Sequence, residues 1–236
     1  MTTTATSTFN LNLNDVVEEA FERCGSELRS GYDLRTARRS LNLLFADWAN
    51  RGINLWTIEQ GSQALTAGTA TYTLPVDTVD LLEHVIRTQT GVQQTDLTIT
   101  RISVSTYATI PNKNATGRPI QIYVNRQSGA TTPSGIQYPT FTVWPTPDNS
   151  TPYTLVYWRM RRIQDAGNGV NTFDIPFRFL PCLTAGLAYY LSLKLPEALP
   201  RVEMLKAMYD EAFVTAAGED REKAAQRFVP RIMQIT

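Results

Sequence analysis

Apolar residues recur at helical spacing near the start of the chain and predict two consecutive helices. The first runs from Asn14, whose side chain can cap the free amide groups, to about Arg29, and Ser30-Gly31 breaks it. The second begins at Asp33 as its cap and runs to about Asn50, and Gly52 is placed to end it in a left-handed conformation. The apolar stripes consist of Val16, Val17, Ala20, Phe21 and Cys24 in the first helix and of Leu34, Ala37, Leu41, Leu44, Phe45 and Trp48 in the second.

From Leu55 to Ile163 the helical period gives way to short runs of Thr, Val, Ile, Tyr and Trp, divided by Gly, Pro, Asn and Asp. Short strands that follow one another without long helices between them favour antiparallel pairing, in a sandwich or a barrel. A short helix is expected over Ser103–Ile110. The predicted strands are Ala70–Leu74, Leu82–Thr88, Thr95–Ile102, Ile120–Asn125, Thr140–Trp144 and Tyr153–Arg162.

Helical spacing returns near Phe177 and predicts a helix that ends near Leu195, where Pro196 stops it. Pro200 can occupy the first turn of a last helix. Because neither helical end is long enough to form a stable bundle alone, the two ends are expected to pack together. The predicted fold class is α+β, a helical bundle formed by N- and C-terminal helices with an inserted antiparallel β-sandwich or barrel-like domain. The expected divisions are a flexible N-terminal arm at 1–13, a discontinuous bundle at 14–54 and 174–227, the inserted β domain at 55–173 and a docking tail at 228–236.

The docking tail is broken by proline and would leave several apolar side chains exposed in a lone monomer. Exposed apolar termini are typical of segments that dock onto a partner. The alternative is that the tail folds back on its own domain. The docking candidates are Phe228, Val229, Ile232, Met233 and Ile235.

Charge and composition narrow the class of protein. The 236 residues carry 22 Lys and Arg against 22 Asp and Glu, so no net positive field draws the chain to nucleic acid, and a sequence-specific reader of DNA is disfavoured. No apolar run is long enough to span a bilayer. Residues 1–10 lack the basic and apolar regions of a signal peptide, which predicts synthesis inside the cell. Cys24 and Cys182 lie beside apolar neighbours and are expected to be reduced, buried thiols.

Motifs for catalysis, cofactors and metals are not found in the sequence. His84 is the only histidine, and with two distant cysteines it cannot form a zinc site of the usual spacing, so a structural role is expected. Gly167-Asn168-Gly169 lacks the Lys-Ser/Thr of a phosphate loop and is expected to be a turn. Paired carboxylates for sugar hydrolysis remain possible, because their separation in space decides that chemistry.

Two basic clusters are candidates for a subunit interface or a DNA channel. In the first, strand alternation places Arg159 and Arg161 on one face and Arg162 on the other with Trp158. This cluster could contact phosphate or an acidic neighbouring subunit, or it could be a solvated strand end that pairs with nearby carboxylates. The second cluster is a polar helix face that is either solvated or meets acidic partners at a subunit boundary. It consists of Arg35, Arg38 and Arg39.

Several stretches together resemble a known family. They are Arg38–Trp56, Gly68–Pro75, Trp144–Asp148, Phe177–Pro181 and Gly186–Leu191. They resemble the head-to-tail adaptor proteins of short-tailed bacteriophages, also called tail tubular protein A-like or head-completion proteins. The likeness runs from about Asn14 to Pro230, and its motifs are structural rather than catalytic.

The resemblance implies a non-enzymatic virion protein that is made in the host cytoplasm and needs no cofactor or membrane. It implies a homo-oligomeric ring of twelve subunits below the portal protein, with the C-terminal segment reaching the portal. The tail nozzle and sometimes tail fibres attach on the opposite side, and double-stranded genome DNA passes through the lumen without sequence-specific binding. One alternative is a virion-associated peptidoglycan hydrolase on the same scaffold, since some relatives hydrolyse the cell wall. Another is a β-domain module that binds a receptor or a fibre.

Overall fold

The computed structural model describes residues 5–53, 55–89, 91–126, 131–132, 135–136 and 138–221. The chain divides into two units, one formed by the residues up to Leu55 and from Asp165 onward, and the other by Trp56–Gln164. The predicted α+β class is confirmed, because helices at both ends of the chain flank a β region. The predicted docking tail lies outside the described residues.

The described residues form five α-helices and ten strands. The helices are α1 (Leu13–Cys24), α2 (Gly31–Asn50), α3 (Val104–Ala108), α4 (Leu180–Ser192) and α5 (Val202–Glu219). The strands are β1 (Ile58–Leu65), β2 (Thr71–Thr73), β3 (Thr78–Thr88), β4 (Thr95–Thr98), β5 (Thr100–Ile102), β6 (Gln121–Asn125), β7 (Thr131–Thr132), β8 (Gly135–Ile136), β9 (Thr140–Trp144) and β10 (Tyr153–Arg161). Tight 3₁₀ turns occur at Leu55–Thr57, Gly91–Gln93, Phe177–Phe179 and Pro196–Arg201.

The first two helices begin with capping boxes, at residues other than the predicted caps. Asn12, not Asn14, caps α1, and Ser30, not Asp33, caps α2. In each box the side chain of the cap accepts from the backbone N–H three residues on, and the aspartate there accepts from the N–H of the cap. Helix α1 ends earlier than predicted because Gly25 adopts a left-handed φ of 78°. Gly52 follows α2 with the left-handed φ predicted for it.

Helix α4 is the centre of the helical unit and packs against α1, α2 and α5, so the helices from the two ends of the chain do pack together. Most of its side chains are buried. Pro200 lies inside the 3₁₀ turn that precedes α5 rather than in the first turn of α5. Cys24 and Cys182 are buried free thiols, as expected. Burial raises the pKa of Cys24 to about 11 and that of Cys182 to about 12, so both are thiols at neutral pH.

A buried hydrogen bond joins α2 to α5, and its removal is the first test of this packing. Trp48 Nε1 donates to Tyr209 Oη at 3.0 Å. We expect Tyr209→Phe to lower the free energy of unfolding by about 1–2 kcal/mol, because the indole N–H is left without an acceptor. Urea denaturation measures the change. Tyr32→Phe on the exposed start of α2 is the control, and an equal loss at both positions would contradict the role of the bond.

Two four-stranded sheets form the β unit, in the orders β1-β10-β3-β4 and β2-β9-β6-β5, and the short strands β7 and β8 pair with each other. Neither four-stranded sheet closes into a barrel over the described residues. The strands that the structure describes pair antiparallel, except that β5 and β6 are parallel. The predicted strand Thr95–Ile102 is divided at Ile99, so that β4 pairs with β3 while β5 belongs to the other sheet. The core consists of Leu74, Leu81, Ile86, Ile99, Ile122, Val124, Phe141, Val143, Tyr153, Leu155 and Tyr157.

Residues 165–173, which the sequence analysis assigned to the inserted domain, group with the helical unit. The carbonyl oxygens of Gly169 and Asn171 accept from Asn14 N and Leu13 N at 3.2 and 3.1 Å, at the start of α1. The backbone N–H of Ala166 donates to Asn42 Oδ1 of α2 at 2.8 Å. The glycine-asparagine-glycine segment and the following residues to Asn171 therefore form a turn that satisfies two free amides of α1.

Candidate interaction surfaces

A metal site requires several ligating side chains close together, and a membrane-spanning helix requires a long apolar segment. In the described part of the chain, no group of three or more His, Cys, Asp and Glu side chains could hold a metal ion. Over the same residues, no helix is both long enough and apolar enough to cross a membrane. Burial first, and the charge of Arg101 second, lower the pKa of His84. Its ring is therefore neutral at neutral pH, and no described group bonds its Nδ1 to orient it as a base.

A pair of carboxylates does converge in the β unit, around one guanidinium. Arg159 Nε donates to Glu59 Oε1 at 2.7 Å, and Arg159 Nη1 donates to Asp77 Oδ1 at 2.6 Å and to Thr78 Oγ1 at 2.7 Å. The hydrogen bond from Arg159 lowers the pKa of Asp77. A glycosidase acid needs a raised pKa, and the lowered pKa of Asp77 is the opposite of that requirement.

The other two arginines of this cluster differ in their surroundings. Arg161 Nε lies 3.3 Å from Glu59 Oε2, so Arg159 and Arg161 reach the same carboxylate, as expected for residues on one face of a strand. Arg162 is exposed, and its backbone N–H donates to Asp77 O at 2.8 Å. Pairing with nearby carboxylates therefore accounts for Arg159 and Arg161. A role of the three residues at a subunit interface or a DNA channel remains a prediction.

The outer side of α2 carries a cluster of cations that we call the basic face, formed by Arg35, Arg38, Arg39 and Lys194. The three arginines line a depression of about 330 Å³ together with Asn42 and Leu43. Lys194 Nζ donates to Ser40 Oγ of α2 at 2.6 Å. Burial first, and the charge of Arg39 second, lower the pKa of Lys194. Among the described residues, none of the three arginines forms an ion pair, so no described carboxylate neutralises their charges.

A cavity of about 500 Å³ lies between α1 and the start of α4, and we call it the acidic groove. Its carboxylates come from one side of α1, at Asp15, Glu18, Glu19 and Glu22. Asp15 belongs to the α1 cap, and Glu19 accepts from Arg23 Nε at 2.8 Å. Glu18 and Glu22 are exposed, and neither pairs with a described cation. The rest of the lining is Phe9, Leu11, Arg23, Phe177, Leu180, Pro181 and Thr184.

The acidic groove was not anticipated from the sequence, although a signal was present. Its four carboxylates are spaced by three, one and three residues, which is one face of a helix already predicted there. The apolar half of the groove comes from Phe9 and from the first turn of α4, which are distant in the sequence. Helix packing brings them together, so charge spacing alone could have indicated half of this surface.

The apolar docking candidates of the C-terminal segment lie outside the described residues, and their role stays a prediction. Comparison with known proteins adds one finding. The model of a family described as SU10 adaptor protein matches residues 11–232. Comparison with curated proteins gives no match.

Proposed function

This chain belongs to the SU10 adaptor protein family, a family of short-tailed phage adaptors, and on that premise we propose that it joins capsid to tail at the head-tail junction of the virion. The observation that carries the proposal is the extent of the family match, which spans residues 11–232 and so includes both units. We further propose a ring of twelve copies below the portal protein. The tail nozzle, and tail fibres where present, attach on the side away from the portal.

Passage of genome DNA through the lumen of the ring is part of this proposal. Each phosphate contact releases counterions and strengthens binding, so many contacts repeated around a ring would slow ejection. A subunit with 22 positive and 22 negative side chains limits that attraction. Within that balance, the two carboxylates at Arg159 neutralise a cation that could otherwise bind phosphate. These charges support a conduit that passes DNA without holding it.

Electron microscopy of the purified protein mixed with the portal protein of the same phage tests the ring. We expect particles with a second ring below the portal and twelve-fold symmetry in averaged end views. Portal particles that stay bare at saturating protein would contradict the proposal.

The C-terminal segment is proposed to dock on the portal. Its five apolar side chains would gain roughly 1.5–3 kcal/mol each on full burial, an upper limit that ordering of the segment reduces. We expect a chain that lacks residues 228–236 to keep its fold and to lose portal binding in a pull-down. The double variant Ile232→Ser, Met233→Ser should behave in the same way.

Gln234→Ala is the matched control, because it alters the same segment and leaves its apolar side chains in place. We expect it to bind portal like the unchanged chain. Circular dichroism confirms that each variant is folded. Portal binding by the truncated chain at the level of the full chain would overturn the docking role.

The non-enzymatic part of the proposal is tested by zymography on peptidoglycan. The carboxylate pair of Glu59 and Asp77 is bound by Arg159, and the pKa of Asp77 is lowered there. We therefore expect no lysis band. A clear band that persists in Asp77→Asn would reveal a hydrolase acting through other residues and would contradict a purely structural role.

A further inference from the structure

We propose that the acidic groove of one copy receives the basic face of the next copy. The inference rests on the proposed function, since it supplies a contact between neighbouring subunits of the ring. The occupant of each surface is a second copy of this chain, as the charge, exposure and placement of residues within the helical unit indicate.

Both surfaces carry charges that have no ion-pair partner among the residues that the structure describes. On the basic face, Arg35 and Arg39 are exposed and form no ion pair with a described residue. In the acidic groove, the same is true of Glu18 and Glu22. Arginine is well suited to such a contact, because its planar guanidinium can bind a carboxylate through two parallel hydrogen bonds.

Each surface also exposes apolar side chains beside its charges. Phe9 and Phe177 of the acidic groove are 67% and 69% exposed, and Tyr32 and Leu43 of α2 are 66% and 55% exposed. Aromatic residues and arginine are enriched in the centres of protein interfaces. Both surfaces therefore combine apolar side chains with charge, and their charges are of opposite sign.

The two surfaces lie at opposite ends of α4. The groove uses Leu180, Pro181 and Thr184 from the first turns of this helix, whereas Lys194, just beyond its last turn, bonds to α2 at the basic face. At about 1.5 Å per residue, the helix separates them by roughly 20 Å. One copy can thus contact a neighbour at each end through different surfaces. Such a heterologous contact extends from copy to copy and closes into a ring when the rotation allows.

Like charges disfavour the competing symmetric arrangements. A dimer formed by two basic faces would bring two arginine clusters together, and one formed by two acidic grooves would bring eight carboxylates together, four from each copy. Juxtaposed like charges weaken association. Of these three pairings, only that of the acidic groove with the basic face brings opposite charges together.

A charge-reversal exchange tests the contact on the full chain. The groove variant is Glu18→Lys, Glu22→Lys, and the basic-face variant is Arg35→Glu, Arg39→Glu. Sedimentation velocity at low salt is expected to show at least about tenfold weaker self-association for each variant than for the unchanged chain. An equal mixture should recover assembly, because every contact in an alternating complex again joins opposite charges. A misfolded variant cannot produce this recovery.

Cysteine cross-linking detects the contact if self-association is weak. One copy carries Glu22→Cys and a differently tagged copy carries Arg39→Cys, and a short bis-maleimide joins them. The native Cys24 and Cys182 are buried with raised pKa values, so they react poorly. We expect a product that contains both tags, and none when both copies carry Glu22→Cys.

Other occupants of these surfaces give different results. If the groove held the C-terminal segment of its own chain, deletion of residues 222–236 would change self-association. If the basic face bound DNA, the basic-face variant would lose binding to a short duplex and keep self-association. Either of these two results would overturn the proposal. So would an equal mixture of the two charge-reversal variants that does not assemble, or an unchanged chain that neither self-associates nor cross-links. Copies that associate as described but do not bind portal would instead refute the proposed function and leave this contact in place.

Discussion

Replacement of Gly186 by valine is expected to destabilise the helical unit by about 3 kcal/mol. A Cβ at this position would lie 2.9 Å from Leu44 Cδ2 and 2.9 Å from Tyr209 Cε2, closer than carbon atoms pack. Leu44 is fully buried, and the Tyr209 ring is fixed by its hydrogen bond to Trp48, so neither neighbour can move aside freely. The glycine is therefore required for the close approach of α2 and α5 to α4.

Gly218→Val is the matched control for this substitution. Gly218 also lies in a helix, α5, but a Cβ there would meet no other atom within 4 Å. We expect its free energy of unfolding to stay within about 0.5 kcal/mol of the unchanged chain. Thermal and urea unfolding, followed by far-ultraviolet circular dichroism, measure both variants. Similar losses at the two positions would show that valine is disfavoured in these helices for another reason, and the packing argument would fail.

The helices were predictable because their apolar period is a property of the local sequence, but their first residues were not. Asn12 and Asn14 are both suitable caps, and the difference between them is the backbone conformation. Asn12 has an extended ψ of 175°, while Asn14 lies inside the helix. Spacing identifies an aspartate three residues after Asn12 and after Ser30, which is the pattern that would have selected both caps.

Strand β1 was missed because it has little of the composition typical of a strand. It reads Ile-Glu-Gln-Gly-Ser-Gln-Ala-Leu, and its pairing with β10 forms it. Gly61 lies opposite Tyr157, and a Cβ at Gly61 would lie 2.6 Å from the tyrosine ring. The ring thus lies over a glycine that by itself disfavours a strand. The tyrosine that packs over this glycine is distant in the sequence, so a local sequence pattern cannot reveal the contact.

A candidate surface could be predicted from the sequence only as far as its residues lie close together in the sequence. The basic face of α2 was indicated by Arg35, Arg38 and Arg39 alone. The surroundings of Arg159 were not, because its partners Glu59 and Asp77 are 100 and 82 residues away in the sequence. The acidic groove is intermediate, since one helix supplies its charge and tertiary packing supplies its apolar side. The family came from the resemblance of several structural stretches and is shown by the match over residues 11–232.

Arg159→Met is expected to lower the free energy of unfolding of the β unit at pH 7 by about 2 kcal/mol. The Arg159 side chain is 9% exposed and its guanidinium binds Glu59, Asp77 and Thr78, and methionine keeps the apolar stem while it removes the charge. The loss should be smaller than the roughly 3–5 kcal/mol of a fully buried pair, because Glu59 and Asp77 are 44% and 42% exposed and water can solvate them. Arg87→Met is the control in the same sheet, where Arg87 and Asp96 pair on the surface, and we expect a much smaller loss.

The stability difference between the unchanged chain and Arg159→Met should depend on pH. The hydrogen bond from Arg159 lowers the pKa of Asp77 in the folded state, so its contribution is complete above the unfolded value of about 3.9 and is lost as pH falls through the folded value. The difference should thus be constant from pH 7 to about pH 5 and shrink below about pH 4. Urea unfolding at a series of pH values, monitored through hydrogen exchange of the β3 and β10 amides, measures this difference in stability. A difference that grows on acidification would contradict the lowered pKa of Asp77, because the ionised carboxylate is the form that Arg159 stabilises.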